Sequence, residues 1–168
     1  MSGDKPTVVL DTNYWLAFNL GGRPHSGEAR EFLRLANLAD VALCTPVTSL
    51  KDTYYILAHE LKRAARENGE TVDAACAAAI DEVARACVRN VLELTQVVPM
   101  GPGDAWESFC IRPGHADFED DLVIACAKRC RADFIVTEDR GLSGGSPVPC
   151  LDICQALERI RCLCGPTG

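Results

Sequence analysis

The strongest constraint on the fold is the alternation of short apolar runs with longer segments of helical periodicity along almost the whole chain. Short apolar runs bounded by turn signals are typical of buried strands, and strands that alternate with helices are typical of a parallel sheet covered on both faces. We therefore predict an α/β fold, a three-layer α/β/α sandwich with a central parallel sheet of four or five strands. The predicted strands are 7–10, 41–44, a run centred on 95–98, 134–137 and 148–151, and the predicted helical segments are 14–20, 28–39, 48–67, 71–91, 105–111, 117–130 and 152–162.

Turn-forming residues refine these bounds. Asn68-Gly69 is a good C-terminal stop for the third helix. Asp104, which follows Gly101-Pro102-Gly103, is predicted to cap a short helix. The stretch 141–147 is rich in glycine and serine and is predicted to be a flexible loop.

Length and composition favour one globular domain, residues 1–168, with 48% hydrophobic and 24% charged residues. No apolar run is long enough to span a bilayer, and the first residues do not read as a signal peptide, so we expect a cytoplasmic protein without a membrane partner. The ten cysteines are expected to be reduced, because several lie in alanine-rich helical stretches as small apolar residues. Their spacing lacks the paired C-x₂-C of a zinc ribbon.

Two carboxylates follow apolar strands. Asp11 directly follows Val8-Val9-Leu10, and Asp139 lies two residues beyond Val136-Thr137. In open α/β sheets ligands bind outside the carboxyl ends of the strands, so we expect Asp11 and Asp139 at the same sheet edge. The alternative for Asp11 is a helix cap, though the other acids favour a functional role, and Asp139 taken alone is more simply a turn residue.

A third group of acids opens the helix 117–130. Asp117, Asp120 and Asp121 have i, i+3, i+4 spacing and share one helical face, with Asp121 expected to be peripheral. Acidic residues in a first helical turn also interact favourably with the helix dipole, which is the simpler interpretation. Carboxylates that converge repel one another unless a cation joins them, and hard oxygen ligands suit Mg²⁺ or Mn²⁺. The pattern thus favours a metal-dependent phosphoryl-transfer or phosphodiester-cleaving site.

In these motifs the chain resembles the PIN-domain family, the ribonuclease domain of VapC-type toxins. The matching stretches, in the order in which the family carries them, are 9–13 (VLDTN), 49–55 (SLKDTYY), 117–122 (DFEDDL) and 135–139 (IVTED). Each motif is short, but four in the right order between about Thr7 and Leu142 are fairly specific.

The resemblance implies a PIN-like fold and a role for each matching residue. Asp11, Asp52, Asp120 and Asp139 would be the catalytic acids, with Asp11, Asp120 and Asp139 as ligands of Mg²⁺ or Mn²⁺. Asn13, Asp117 and Thr137 would be supporting polar groups. Many PIN domains have Glu where this chain has Asp52, and the shorter Asp would reach the metal through water.

The implied activity is metal-assisted hydrolysis of RNA, with no serine or cysteine nucleophile. A toxin of this type implies an antitoxin partner and is compatible with a homodimer. The net charge of −7 weighs against a general nucleic-acid coating protein but not against a nuclease. His25, His59 and His115 are too scattered for a histidine-based ribonuclease, although His115 precedes the acidic cluster and could approach substrate.

Two alternatives remain open on the sequence. A haloacid-dehalogenase-type phosphatase also has an Asp after its first strand, but it requires Asp-x-Asp where this chain has Asn13. A non-catalytic PIN-like module that binds RNA or protein is the other alternative, and the presence of all four acids argues against it.

Overall fold

The structure, a computed structural model, describes residues 5–112 and 117–164. In this part of the chain a parallel sheet is surrounded by helices. The strands are β1 (Thr7–Leu10), β2 (Ala42–Pro46), β3 (Gln96–Val98), β4 (Phe134–Val136) and β5 (Cys150–Leu151). The helices are α1 (Thr12–Asn19), α2 (Ser26–Leu38), α3 (Val47–Glu67), α4 (Ala74–Leu94), α5 (Pro102–Ile111), α6 (Phe118–Arg129), α7 (Arg140–Ser143) and α8 (Ile153–Cys164).

The sheet has the strand order β3-β2-β1-β4-β5, and every pairing is parallel. β1 lies in the centre, with Val9 opposite Cys44 of β2 on one side and Ile135 of β4 on the other. Because adjacent parallel strands end at the same edge, the residues after β1 and β4 are brought together by the topology itself.

Successive residues of β1 point to opposite faces of the sheet, and both faces are buried. Val8 and Leu10 belong to a core that includes Trp15 of α1 and Phe32 of α2. Val9 belongs to a separate core on the other face, with Ile124 of α6. A third cluster, which includes Leu57 and Ala84, packs α1, α3 and α4 together. The sheet therefore lies between two helical layers, which confirms the predicted three-layer α/β/α sandwich.

The structure corrects two local predictions. Asp104 is not the N-cap of α5, because Gly101 holds that position. Asp104 is the third residue of the helix, and its Oδ2 accepts a hydrogen bond from the N–H of Gly101 at 2.8 Å. The predicted loop 141–147 begins inside a helical turn, α7, because the side chain of Asp139 accepts a hydrogen bond from Gly141 N and caps it. A side-chain cap of this kind stabilises a short helix that glycine alone would disfavour.

Three further observations bear on the sequence predictions. All ten cysteines lie within the described residues and are free thiols. Within those residues, no helix has both the length and the apolar character needed to cross a membrane. His115 lies outside the described residues.

Candidate active site

Four carboxylates from four different parts of the fold line one cavity of about 240 Å³. Asp11 follows β1, Asp52 lies in the second turn of α3, Asp120 is in the first turn of α6, and Asp139 precedes α7. Asn13 and Asp117 also line this cavity, which we call the carboxylate cavity. The structure thus brings together every acid that the sequence nominated as catalytic, at the edge where β1 and β4 end.

A short hydrogen-bond chain fixes Asp11 relative to Asp139. The backbone N–H of Asp139 donates to Thr137 Oγ1 at 3.0 Å, and the Thr137 hydroxyl donates to Asp11 Oδ2 at 2.9 Å. Thr137 is buried, so this bond is protected from water. The side chain of Thr137 therefore holds Asp11 through its carboxylate and Asp139 through its backbone N–H.

Asp117 positions Asp120 through the start of α6. As the N-cap of that helix, Asp117 accepts hydrogen bonds through Oδ1 from Glu119 N at 3.0 Å and from Asp120 N at 3.3 Å. An N-cap of this type fixes the first turn of a helix and satisfies its exposed N–H groups. The backbone that carries Asp120 is therefore held by its neighbour in the same cavity.

The side of the cavity formed by α3 contributes Asp52 and a buried hydroxyl. Asp52 pairs with Lys51 at 3.1 Å, and Lys51 also lies 3.5 Å from Glu119, which lines the cavity. Ser49 is 1% exposed, and its hydroxyl has no hydrogen-bond partner among the described residues. A buried hydroxyl without a partner is costly, so its place in the cavity lining points to a polar occupant.

Asp121 lies outside the carboxylate cavity, as expected for an acid peripheral to the site, but it is buried, with 4% exposure. It does not share the side of α6 on which Asp117 and Asp120 line the cavity. Its Oδ1 instead accepts a hydrogen bond from Arg112 Nε at 2.6 Å. One residue farther along a helix is a rotation of about 100°, which is enough to carry a side chain out of the cavity.

Arg112 was missed by the sequence analysis. Its side chain is 7% exposed, and Nη1 donates to the carbonyls of Gly141 and Gly144 at 2.7 Å each. Its Nη2 lies 4.0 Å from Asp120 Oδ2 and is buried without a hydrogen-bond partner among the described residues. Arg112 therefore ties the turn α7 to the start of α6, behind the two acids that those elements present.

Gly141 leaves little room for a side chain between Asp120 and Asp139. A Cβ at Gly141 would lie 3.1 Å from Asp139 Oδ1 and 3.3 Å from Asp120 Oδ2. Both oxygens thus border the volume of a single methyl group. The sequence offered no signal for this role, because Gly141 stands in a stretch where glycine is expected for turn formation alone.

Burial and mutual repulsion make this carboxylate set unfavourable without a cation. Burial raises the pKa of Asp11, and the Thr137 hydroxyl opposes that shift. Burial, followed by repulsion from Asp117, Asp139 and Asp11, raises the pKa of Asp120 to about 6. A divalent cation would favour the charged form of each acid. The donors that face the cavity are carboxylate and hydroxyl oxygens, which fit Mg²⁺ or Mn²⁺ better than a softer ion.

Comparison with solved structures supports the same fold at low sequence identity. PAE2754 from Pyrobaculum aerophilum is 17% identical, with a TM-score of 0.59 over 94% of this chain and 90% of that one. VapC20 from Mycobacterium tuberculosis, described as a Sarcin-Ricin loop cleaving toxin, is 17% identical, with a TM-score of 0.56 over 81% of this chain and 92% of that one. VapBC2 from Rickettsia felis, solved with a DNA fragment from its promoter, is 13% identical, with a TM-score of 0.61 over 87% of this chain and 98% of that one.

No curated protein matches the chain by sequence. A family model does: the model described as PIN domain matches residues 7–141, a span that runs from β1 into α7 and contains all four cavity acids. A match over most of the chain decides the family, and it agrees with the motif resemblance and with the parallel sheet. The chain belongs to the PIN domain family.

Proposed function

We propose that this protein is a Mg²⁺- or Mn²⁺-dependent endoribonuclease and the toxin of a toxin–antitoxin pair. The observation that carries the proposal is the convergence of Asp11, Asp52, Asp120 and Asp139 on one cavity at the carboxyl edge of the sheet. Membership of the PIN domain family supports nuclease chemistry there. VapC20, a structural neighbour, is described as a toxin that cleaves the Sarcin-Ricin loop, and this supports RNA as the substrate class.

In this proposal Asp11, Asp120 and Asp139 hold the metal. When bound, the cation supplies Lewis-acid polarisation of the phosphodiester and a lowered pKa for the attacking water. Thr137 keeps Asp11 oriented through its 2.9 Å hydrogen bond, and Asp117 fixes the turn that carries Asp120. Asp52, paired with Lys51 on the α3 side of the cavity, would reach the metal through water.

The remaining cavity groups would act on the RNA. Ser49, whose buried hydroxyl has no partner among the described residues, would offer it to a phosphate oxygen or to an ordered water, and Asn13 would offer an amide to the same space. Lys51, between Asp52 and Glu119, would offer a cation to the substrate backbone. These contacts would position a phosphodiester beside the metal, and orientation of this kind lowers the barrier to cleavage.

The decisive experiment is cleavage of a mixed RNA pool by purified protein with Mg²⁺ or Mn²⁺, and its arrest by EDTA. Asp11→Asn and Asp120→Asn should abolish cleavage, because each removes a ligand charge with little change of shape. Asp52→Asn should be milder, by the roughly 10–100-fold that is typical of a residue acting through water. Asp40→Asn is the matched control, because Asp40 is exposed and pairs with Lys5 away from the cavity.

Equal activity in wild type and Asp11→Asn would reveal a contaminating ribonuclease or a different site. Loss of activity in Asp40→Asn as well would mean that the substitutions act through folding. A correctly folded, metal-loaded protein that cuts no RNA would overturn the proposed activity and favour a binding module. The phosphatase alternative loses its support, because the family match is to the PIN domain.

The expected partners follow from the toxin assignment. VapBC2, a structural neighbour, was solved with DNA from their promoter, which supports a cognate antitoxin for this chain as well. We propose that residues 1–168 act as one cytoplasmic domain, alone or as a homodimer. Light scattering gives the oligomeric state. Co-purification with the product of an adjacent small reading frame, and inhibition of cleavage by that product, would test the antitoxin.

A further inference from the structure

A second group of metal-ligating side chains lies outside the carboxylate cavity. Cys154, near the start of α8, has its Sγ 3.2 Å from Nδ1 of His25, the residue that precedes α2. Glu28, in the first turn of α2, has Oε1 4.0 Å from the same nitrogen. One ligand atom from each residue lies within 4.8 Å of the other two. A thiol, an imidazole and a carboxylate thus converge from two segments that are far apart in sequence.

We propose that His25, Glu28 and Cys154 form a binding site for a thiophilic divalent cation, with Zn²⁺ as the best match. Zinc takes thiolate, imidazole and carboxylate ligands, whereas Mg²⁺ prefers oxygen alone. Three protein ligands leave a fourth position for water. The ion would join the start of α2 to the start of α8 and brace one side of the helical layer over β1.

The three ligand atoms lie within 4.8 Å of one another, somewhat wider than the spacing in a tetrahedral zinc site. Metal–ligand bonds of about 2.0–2.3 Å place neighbouring ligand atoms about 3.3–3.6 Å apart. The sulfur–nitrogen distance of 3.2 Å and the nitrogen–oxygen distance of 4.0 Å differ from that range by amounts that small χ rotations can remove. The side chains of His25 and Glu28 are 41% and 45% exposed, so an ion can reach them from solvent.

The charge around the site favours a cation. The negative charges of four carboxylates act on the Cys154 thiol: those of Glu28, Asp152, Glu138 and Glu158. Such a negative environment attracts a divalent ion, and a coordinated thiol loses its proton. His25 adopts a left-handed backbone conformation with φ 61°, uncommon for a residue other than glycine, and its ring contacts Cys154 of α8.

This site lies next to the carboxylate cavity but is distinct from it. His25 and Glu138 line a neighbouring cavity that Asn13 also borders, so Asn13 faces both. The two sites differ in their donors, because the carboxylate cavity presents oxygen ligands and the second site presents sulfur and nitrogen. A metal with a thiolate-specific signal can therefore distinguish them in the same protein.

Cobalt(II) substitution of the reduced, full-length protein tests the proposal. We expect one bound Co²⁺ per chain to give a thiolate-to-cobalt charge-transfer band in the near ultraviolet, and Zn²⁺ to abolish that band by displacement. Cys154→Ser should eliminate the band. His25→Asn, which keeps a residue that tolerates the left-handed conformation, should weaken binding by at least the roughly 10–100-fold that loss of an outer-sphere partner costs.

Two controls make the result specific. Cys162→Ser, at an exposed cysteine, and Asp11→Asn, in the carboxylate cavity, should both retain the band. Zinc should also raise Tm by about 5–10 °C at 100-fold excess over Kd, and Cys154→Ser should lose that shift. If Cys154→Ser fails to fold, Glu28→Gln and His25→Asn take its place. Both residues are partly exposed, so their substitution should leave the fold intact, and each variant should bind the ion more weakly. Absence of the band in wild type, or full affinity in both His25→Asn and Cys154→Ser, would overturn the proposal.

Discussion

Asp120→Asn should stabilise the metal-free protein while it abolishes cleavage. Burial and the nearby Asp117, Asp139 and Asp11 raise the pKa of Asp120 from 3.8 to about 6. At neutral pH the carboxylate is ionised in both the folded and the unfolded chain. The shift of roughly two units then corresponds to about 3 kcal/mol of destabilisation, since one unit is about 1.4 kcal/mol.

Removal of the Asp120 charge does not recover the whole of this destabilisation. Asn cannot interact with the start of α6 as a charge does, which costs about 0.3–1 kcal/mol. A buried amide also keeps a desolvation penalty of its own. We therefore expect a net gain of about 1–2 kcal/mol, or about 2–8 °C in Tm for a chain of this size.

The effect has a defined dependence on pH. A carboxyl group whose pKa is raised on folding binds its proton more tightly in the folded state. The destabilisation is therefore complete above the folded pKa of about 6, and it disappears as the pH falls through that value toward 3.8. Thermal unfolding in EDTA, at neutral pH and at about pH 5, should show the advantage of Asp120→Asn reduced at the lower pH.

Asp121, the next residue of α6, supplies the matched control, because its substitution should lower stability where that of Asp120 raises it. Asp121→Asn makes the same chemical change on the same helix, but it weakens the buried 2.6 Å contact with Arg112 Nε. Breaking a buried ion pair costs about 3–5 kcal/mol, and the retained amide oxygen reduces this to about 2–3 kcal/mol. An Asp120→Asn protein that is no more stable than wild type at neutral pH would refute the electrostatic account of the cavity.

Three further predictions use other contacts of the site. Millimolar Mn²⁺ should raise the Tm of wild type but not that of Asp11→Asn, as measured by thermal unfolding; an equal shift in both would place the ion elsewhere. Arg112→Lys should lower stability by about 3 kcal/mol in urea denaturation, because one ammonium cannot replace the contacts with Asp121 and two carbonyls. Gly141→Ala should weaken Mn²⁺ binding in a calorimetric titration, since its Cβ would crowd the carboxylate oxygens of Asp120 and Asp139 and displace them by a few tenths of an ångström, whereas Gly27→Ala, with open space around its Cβ, should leave binding unchanged.

The sequence predicted the layers of the fold because the strands are continuous apolar runs. Val8, Val9 and Leu10 face two different cores, so each position in β1 must be apolar, and a charge is accepted only where the strand ends. That rule located Asp11 and Asp139 together before their geometry was known. The alternation of elements alone did not fix the strand order β3-β2-β1-β4-β5, which depends on how the helices pack.

Groups that act through tertiary contacts could not be found in this way. Arg112 bonds to residues nine to 32 positions away along the chain, and nothing in its local sequence distinguishes it from an exposed arginine. Cys154 and His25 are 129 positions apart, so no spacing rule for cysteine or histidine connects them. Ser49 lies inside a recognised motif, yet only its burial without a partner among the described residues separates it from an ordinary helix serine.

Asp120 and Asp121 show why identical neighbours cannot be told apart by sequence. Both occupy the first turn of α6, where the helix dipole favours either one equally. The rotation of about 100° per helical residue directs Asp120 toward three other carboxylates and Asp121 toward a buried guanidinium. The pKa of Asp120 rises despite the guanidinium of Arg112 at 4.0 Å, so its charge calls for an added cation, whereas Asp121 bonds directly to Arg112 at 2.6 Å. The chemistry of each acid is therefore set by its partner rather than by its position in the helix. Arg112, the partner of Asp121, also bonds to α7, the turn that follows Asp139, and so helps to place Asp139 beside Asp120.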